Sequence, residues 1–269
     1  SALVTHAMRA LPIGVPKLMV STVASGDTSP YVGSVDVTMM YSVVDIAGVN
    51  TVSARIMSNA AGALAGMAGA SVPSLGDERP IVVASMFGVT TPAVTTARER
   101  LEELGYEVLV FHQVAGGVLA AVPERVESAG RAGLPQVVSL GALDMVNFGP
   151  LDTVPERYRD RNLYVHNPTI TLMRTTPEEC REIARLLAGK LNAATGPTAL
   201  YVPLRGVSAI ATEGQVFHDP EADEALFSTL RELVDTSTVE VHELELDVND
   251  PAFALAMANR LHELIEAAP

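Results

Sequence analysis

Apolar residues in this chain gather in short continuous runs separated by longer polar or mixed stretches. Leu18 to Val20 and Val35 to Met40 read as strands, and Asn50 to Gly69 as a helix in which Val52, Ile56 and Met57 share a face. From Pro80 onward the alternation is regular. Strands are predicted at Pro80–Ser85, Glu107–His112, Pro135–Ser139, Thr198–Pro203 and Val239–Leu244. Helices are predicted at Pro92–Leu104, Pro123–Ala132, Pro177–Ala194, Pro220–Val234 and Pro251–Ala268. Apolar strands alternating with helices predict an α/β fold with a parallel, doubly wound sheet. The Pro-, Gly- and Ser-containing run Ser71–Arg79 is the expected boundary between two domains, residues 1–76 and 77–269.

Four helix starts share one grammar: Thr91-Pro92, Thr176-Pro177, Asp219-Pro220 and Asp250-Pro251. Each offers a capping oxygen followed by Pro at the first helical position, where a missing N–H costs nothing. Thr176, Asp219 and Asp250 are therefore read as caps before they are read as ligands. Gly62 and Gly66 stand four apart in the long first-domain helix, a spacing that serves tight packing within the chain or a dimer seam. One place breaks the alternation. After the strand ending at His112, only Gln-Val-Ala-Gly-Gly precedes the apolar run Val118–Val122. A crossover between parallel strands takes about a dozen residues or more. Either that run belongs elsewhere or chain is missing at this point.

Composition narrows the classes. An apolar content of 48% over 269 residues supports a large core and excludes disorder. A net charge of −14 argues against a general nucleic-acid binder, since phosphate backbones are held by Lys and Arg. A single nucleotide is not excluded, because backbone amides can hold its phosphates. The lone Cys180 rules out an internal disulfide framework and fits a cytoplasmic location. Its acidic helical setting makes it a poor nucleophile. No run is long and apolar enough to suggest a membrane span. Residues 1–77 carry only Arg9, Lys17 and Arg55 against Asp27, Asp36, Asp45 and Asp77. So sparsely charged a stretch is expected to be covered by other protein. The opening at Ser1, in what reads as the tail of a helix, leads us to expect sequence upstream.

Candidate chemistry lies at strand ends. The loop after the first strand, Ser21 to Ser29, is crowded with small hydroxyls, Gly26 and Asp27, groups suited to a ligand at the carboxyl end of a strand. Gly88-Val-Thr90-Thr91-Pro92 leads straight into a helix N-terminus, and its threonines read equally as caps or as phosphate contacts. Asp144 and Asn147 sit among Leu143, Met145, Val146 and Phe148, so their polar groups need partners: loop hydrogen bonds, or a ribose, sugar or metal. His166, held between Val165 and Asn167-Pro168, is a candidate acid–base group or a structural histidine. Arg174 and Arg205 are isolated cations able to clamp a phosphate or carboxylate, Arg205 the better placed at a strand end. No Walker loop, Gly-x-Gly-x-x-Gly or Gly-x-Ser-x-Gly elbow occurs, and no His pair has zinc-ligand spacing.

Several longer runs carry a resemblance. Met8-Arg-Ala-Leu-Pro-Ile-Gly-Val-Pro-Lys-Leu-Met-Val-Ser-Thr-Val-Ala-Ser-Gly-Asp27 is similar to a signature of the ATP-binding domain family of the tomato mosaic virus resistance protein. Ser85–Pro92, Gly141–Asn147, Tyr164–Pro168, Leu172–Thr176 and Leu204–Ser208 resemble the same family. The resemblance implies two Rossmann-like subdomains with parallel doubly wound sheets, the first incomplete in this chain. It implies an ATP-binding cleft between them and self-association, with a homodimer or higher homo-oligomer expected. Members also carry an upstream subdomain, of which only Ser1-Ala2 would be a remnant here, and a Gly-rich loop, a helix and a strand after the position of His112, where this sequence has only the short run noted above. On this view Ser25, Gly26, Asp27, Thr90, Thr91 and Arg205 would face ATP, with magnesium as its candidate companion. Asp144 and His166 would meet a small-molecule substrate as catalytic groups. The expected function is an ATP-binding metabolic enzyme. The competing expectation is a non-catalytic, ATP-stabilised dimeric module. A third is a nucleotide-independent hydrolase or isomerase using His166 and Asp144.

Overall fold

The computed structural model describes residues 1–71, 79–112 and 126–268. Most of the Ser71–Arg79 run, the run after His112, and the first residues of the helix expected at Pro123–Ala132 lie outside them. The chain divides into two compact units, Ser1–Asp77 and Glu78–Pro269.

In the first unit, strands β1 (Leu18–Ser21) and β2 (Thr38–Tyr41) pair in parallel, Leu18 opposite Thr38. Helices α1 (Ala2–Arg9) and α2 (Ser29–Val32) precede β2, and α3 (Thr51–Gly69) follows it. α3 begins with a reciprocal cap: the Asn50 side chain accepts from the Val52 and Ser53 amides, and the Ser53 hydroxyl accepts from the Asn50 amide. The buried Lys17 anchors the start of β1. Its ammonium donates to the carbonyls of Pro12 and Val15 and lies 2.7 Å from Asp36 Oδ1. These partners satisfy the ammonium's three donors, so the charge is buried without loss of hydrogen bonds. A Cβ added to Gly62 or Gly66 would meet nothing within 4 Å, so tight packing within the described residues does not account for that pair.

The second unit contains α4 (Thr91–Glu103), α5 (Glu127–Arg131), α6 (Pro177–Asn192), α7 (Pro220–Leu233) and α8 (Pro251–Glu266). Its strands are β3 (Ile81–Met86), β4 (Glu107–His112), β5 (Gln136–Ser139), β6 (Met145–Phe148), β7 (Leu163–Asn167), β8 (Ile170–Arg174), β9 (Thr198–Pro203) and β10 (Val239–Leu244). The parallel strands are present, but among the described residues they do not form the single sheet expected. β5, β9 and β10 make one parallel sheet in the order β10-β9-β5, and β3 pairs with β4 in a separate parallel pair.

The β5–β9–β10 sheet is covered on both faces. Leu200 and Val202 point to α6 and α7, packing with Ala184, Ala188, Leu191, Leu226 and Leu230. Their neighbours Ala199 and Tyr201 point the opposite way, to Phe253 and Leu264 of α8. This two-sided burial explains why β9 reads as an uninterrupted apolar run. Val82 of β3 packs in a cluster with Leu101 of α4 and Ala258 of α8, and Val108 of β4 joins it.

A third sheet departs from the expected alternation. β6, β8 and β7 are antiparallel, in the order β6-β8-β7. All of β8 after Ile170 is buried, including Thr171 and Arg174. A buried arginine in a five-residue strand hides the strand pattern, and only its distant partners make such burial tolerable.

Three of the four helix starts are as the cap grammar predicts. Thr176 forms a full capping box with Glu179, Asp219 accepts from the Ala222 amide, and Asp250 accepts from the Ala252 amide. α4 differs. Thr90 occupies its N-cap, Thr91 is already helical and Pro92 falls one position later than expected. The cause lies upstream: Gly88–Thr90 form a 3-10 turn that continues into α4 without an extended residue between them.

Candidate functional site at the carboxyl ends of the parallel strands

Loops leaving the carboxyl ends of β3, β5, β9 and β10 are stitched together in the second unit. The Ala142 amide donates to Val207 O, the Ala209 amide to Val89 O, and the Val248 amide to Gly206 O. Asn249 Nδ2 donates to Val89 O at 2.9 Å, while Asn249 Oδ1 accepts from the Ala93 amide at 3.3 Å. Two glycines permit these approaches. A Cβ on Gly141 would lie 3.1 Å from Thr90 Cγ2. One on Gly206, whose φ is +138°, would lie 2.9 Å from Thr212 Cγ2. Ala142 adopts a left-handed φ of 60°, a conformation costly for alanine and tolerated where surrounding bonds fix it. The structure thus brings together the loops carrying Thr90, Thr91, Asp144 and Arg205.

Asp144 ends the turn after β5 and is 1% exposed. Its Oδ2 accepts from Ser208 Oγ at 2.7 Å, and its Oδ1 has no partner. Burial pushes its pKa up to about 6, against the opposing pull of the Ser208 hydrogen bond and the Arg174 charge. Nearby in sequence, Asn147 is equally buried and neither of its side-chain polar atoms has a partner. Unsatisfied buried polar atoms of this kind are rare, because each forfeits its hydration.

Arg174 explains its own burial. It lies 2.6 Å from Asp223 Oδ1 and donates to Phe217 O and to the Thr175 hydroxyl. These contacts make it a structural tie between β8 and the start of α7, not a free clamp. Burial raises the Asp223 pKa, with the Arg174 charge opposing it. Cys180 is buried beside them. Burial is the main cause of its raised thiol pKa, where the sequence pointed to acidic neighbours.

The remaining candidates fare unevenly. The Thr90 hydroxyl both accepts from the Phe87 amide and donates to the Phe87 carbonyl, and the side chain is buried. With the Ala93 amide taken by Asn249, little of the α4 N-terminus is open to an anion. The Thr91 hydroxyl has only a 4.0 Å contact with Met86 Sδ. Arg205 is exposed and 3.4 Å from Glu245, on the wall of a groove of about 810 Å3. His218 and Arg231 line the same groove, opposed by five carboxylates: Glu213, Asp223, Glu224, Glu245 and Asp247. His166 is not brought to Asp144. It is exposed on β7 near the Ile170 end of β8, whereas the Asp144 carbonyl accepts from Thr175 beyond the other end. At strand rise these positions are about 15 Å apart.

In the first unit, the Ser21 hydroxyl caps a 3-10 turn, Thr22–Ser25, and the Ser25 hydroxyl donates back to Thr22 O at 2.9 Å. The Gly26 amide donates to Val23 O. Asp27 accepts from both the amide and the hydroxyl of Ser29, bonds that hold its pKa below the usual carboxylate range. Ser25, Gly26 and Asp27 are exposed, whereas Ser21 is buried.

Sequence reasoning missed Ser208, Asp223 and Asn249. Ser208 closes the Leu204–Ser208 run, whose polar end after a strand was a usable signal. Asn249 stands in Asp247-Val-Asn-Asp250, where cap chemistry masked it. Asp223 was hidden as one more acid in the first turn of a helix.

These features define a two-unit α/β protein with a polar rim at the carboxyl ends of its second unit's parallel strands. The chain belongs to an uncharacterised protein family, UPF0261. The N-terminal domain of that family matches residues 1–73, and its C-terminal domain matches in two pieces, 79–114 and 113–265. A UPF0261 protein of Clostridium tetani is 51% identical over 297 residues, covering 99% of this chain and 74% of that protein. One of Rhizobium meliloti is 45% identical over 288 residues, covering 95% and 72%. The ToMV resistance protein Tm-1 of Solanum lycopersicum is 38% identical over 301 residues, covering 98% of this chain and 40% of that protein. No helix among the described residues is long and apolar enough to cross a membrane.

Proposed function

We propose that this protein binds ATP through the strand-end rim of its second unit and uses it in the metabolism of a small molecule. The observation that carries the reading is the convergence of four strand-end loops around Asp144, a buried carboxylate with one oxygen left without a partner. Ligands of open parallel sheets lie outside the carboxyl ends of the strands. An unpartnered buried oxygen there suits a hydroxyl donor or a cation.

The residues fit the nucleotide in part. Arg205 can turn to a phosphate, because its contact with Glu245 is long and solvent-exposed and costs little to break. The Thr91 hydroxyl can donate. Thr90 contributes by holding the turn, not by donating to phosphate. Five carboxylates in the groove disfavour a bare polyphosphate, so magnesium-bound ATP is the better ligand. In this reading Ser25, Gly26 and Asp27 form a further ligand-facing loop, on the first unit. A Rossmann-like arrangement of each unit, a homodimer and a cytoplasmic location complete it.

The separation of His166 from Asp144 favours a second reading, in which ATP is bound and stabilises a dimer while no bond is broken. Calorimetry of the complete chain with ATP, with and without magnesium, tests the first claim; saturable binding is expected, and no heat at millimolar ATP contradicts it. Turnover with ATP and a panel of metabolites separates the two readings. Activity lost in Asp144→Asn supports the enzyme, whereas binding without turnover supports the module.

A further inference from the structure

Among the described residues, Asn147 is the one side chain buried with both its donor and its acceptor unpartnered. Alternation along β6 puts it on the face of Met145, and register sets it opposite Leu172 of β8, with Tyr164 of β7 beyond. Met145 and Leu172 pack with Phe87, Ile210 and Phe217 in one apolar cluster. A carboxamide on such a face forfeits its hydration and recovers nothing from its neighbours. Its donor and acceptor call for a partner that the chain's own groups do not supply.

What lies over this face bears on access. Ile210 and Phe217 belong to the connection between β9 and α7, residues 204–219, which contains no helix or strand. Stretches of that length without secondary structure are uncommon in compact domains and are ordinarily functional loops. The same connection supplies Ser208, which bonds Asp144 Oδ2 at 2.7 Å. One segment therefore both packs on the face that carries Asn147 and holds the carboxylate of the rim.

The group itself selects a ligand chemistry. A carboxamide presents an acceptor and a donor side by side in one plane, the pattern that pairs with the 6-amino group and adjacent ring nitrogen of adenine. Phe217 and Tyr164, with ring centroids 6.4 Å apart, add aromatic surface beside it. We propose that Asn147 reads the base of the bound nucleotide: Oδ1 accepts from the 6-amino group and Nδ2 donates to the neighbouring ring nitrogen. Because Asn147 is 1% exposed, the base enters as the 204–219 connection shifts off this face. The assignment rests on the ATP reading above and adds to it the residue that sets base specificity.

The test is calorimetry of the complete chain with ATP and with purine riboside triphosphate, which lacks only the 6-amino group. Wild type is expected to bind ATP about tenfold or more tightly than the analogue. Asn147→Leu should weaken ATP binding by a similar factor and bind both triphosphates alike. Its thermal midpoint without nucleotide should hold or rise, since an apolar group of similar size replaces an unpartnered polar one. A wild type that binds ATP and the analogue equally overturns the assignment and leaves ATP binding standing. A preference that survives Asn147→Leu also overturns it, as does a midpoint lowered by several degrees, which would show that the carboxamide is bonded within the chain. A wild type that binds neither triphosphate removes the ATP reading and this assignment with it. Should Asn147→Leu not fold, Asn147→Ala takes its place in the comparison of the two triphosphates, with the same expected loss of preference.

Discussion

Two parallel strand sets in the second unit differ in what surrounds them. β5, β9 and β10 lie between α6 and α7 on one side and α8 on the other, while among the described residues β3 and β4 pack in a cluster with α4 and α8, with Ile81 and Val83 left exposed. Both are short apolar strands in a βα alternation, so strand propensity does not separate them. What separates them is how deeply the described helices bury the strands: Leu200 of β9 is 1% exposed, whereas Val83 of β3 is 64% exposed. The covered sheet also supplies the more polar rim, because loops leaving a fixed sheet can be held by side chains such as Asn249 and Ser208. Coverage and site construction go together in this unit.

The comparison can be broken most severely at Arg174. Arg174→Met leaves Asp223 buried without its charge partner, and a loss of about 3–5 kcal/mol in urea unfolding is expected. Adding Asp223→Leu should restore most of it; a double variant as unstable as the single one would show that the pair is not the source. Next comes a matched truncation in the two strand sets. Leu200→Ala, inside the covered sheet, should cost about 2–5 kcal/mol. Ile81→Ala, at an exposed position of β3, should stay within about 0.5 kcal/mol. Equal losses at the two positions would erase the distinction.

A subtler probe is pH. Asp144 carries a folded pKa of about 6 against an ordinary value of 3.8, so the folded state holds more protons between these values. Its contribution to stability is full below about 3.8 and is lost as pH rises through about 6. The difference between the wild-type chain and Asp144→Asn should therefore change across that window and flatten above it. The smallest effect is expected at Arg205. Arg205→Ala should alter stability by less than about 1 kcal/mol, since its ion pair is exposed. A larger loss would make Arg205 a structural residue and remove it from the rim's ligand-binding set.

Elements whose physics is local were legible in the sequence. β1, β3 to β5, β9 and β10 are apolar runs, and three helix starts follow from a cap oxygen and a proline. What depended on distant contacts was not. β8 buries Arg174 only because Asp223, 49 residues on, receives its charge. Thr91 loses the N-cap to Thr90 because a 3-10 turn precedes it. Asp144 was legible as a polar residue among apolar ones, although its Ser208 partner lies 64 residues away. His166 was not separable from a catalytic histidine by sequence, because the antiparallel register that carries it away from Asp144 involves strands the pattern did not reveal.

The central proposal is that the protein binds ATP, and does so at the strand-end rim of the second unit. Hydrogen exchange of the complete chain, with and without magnesium and ATP, reads this most directly. The account predicts slowed exchange at Gly88–Thr91, Gly141–Asp144 and Arg205–Ser208, with Leu109–Phe111 unchanged. Unchanged exchange in all three loops at a saturating nucleotide concentration would contradict it.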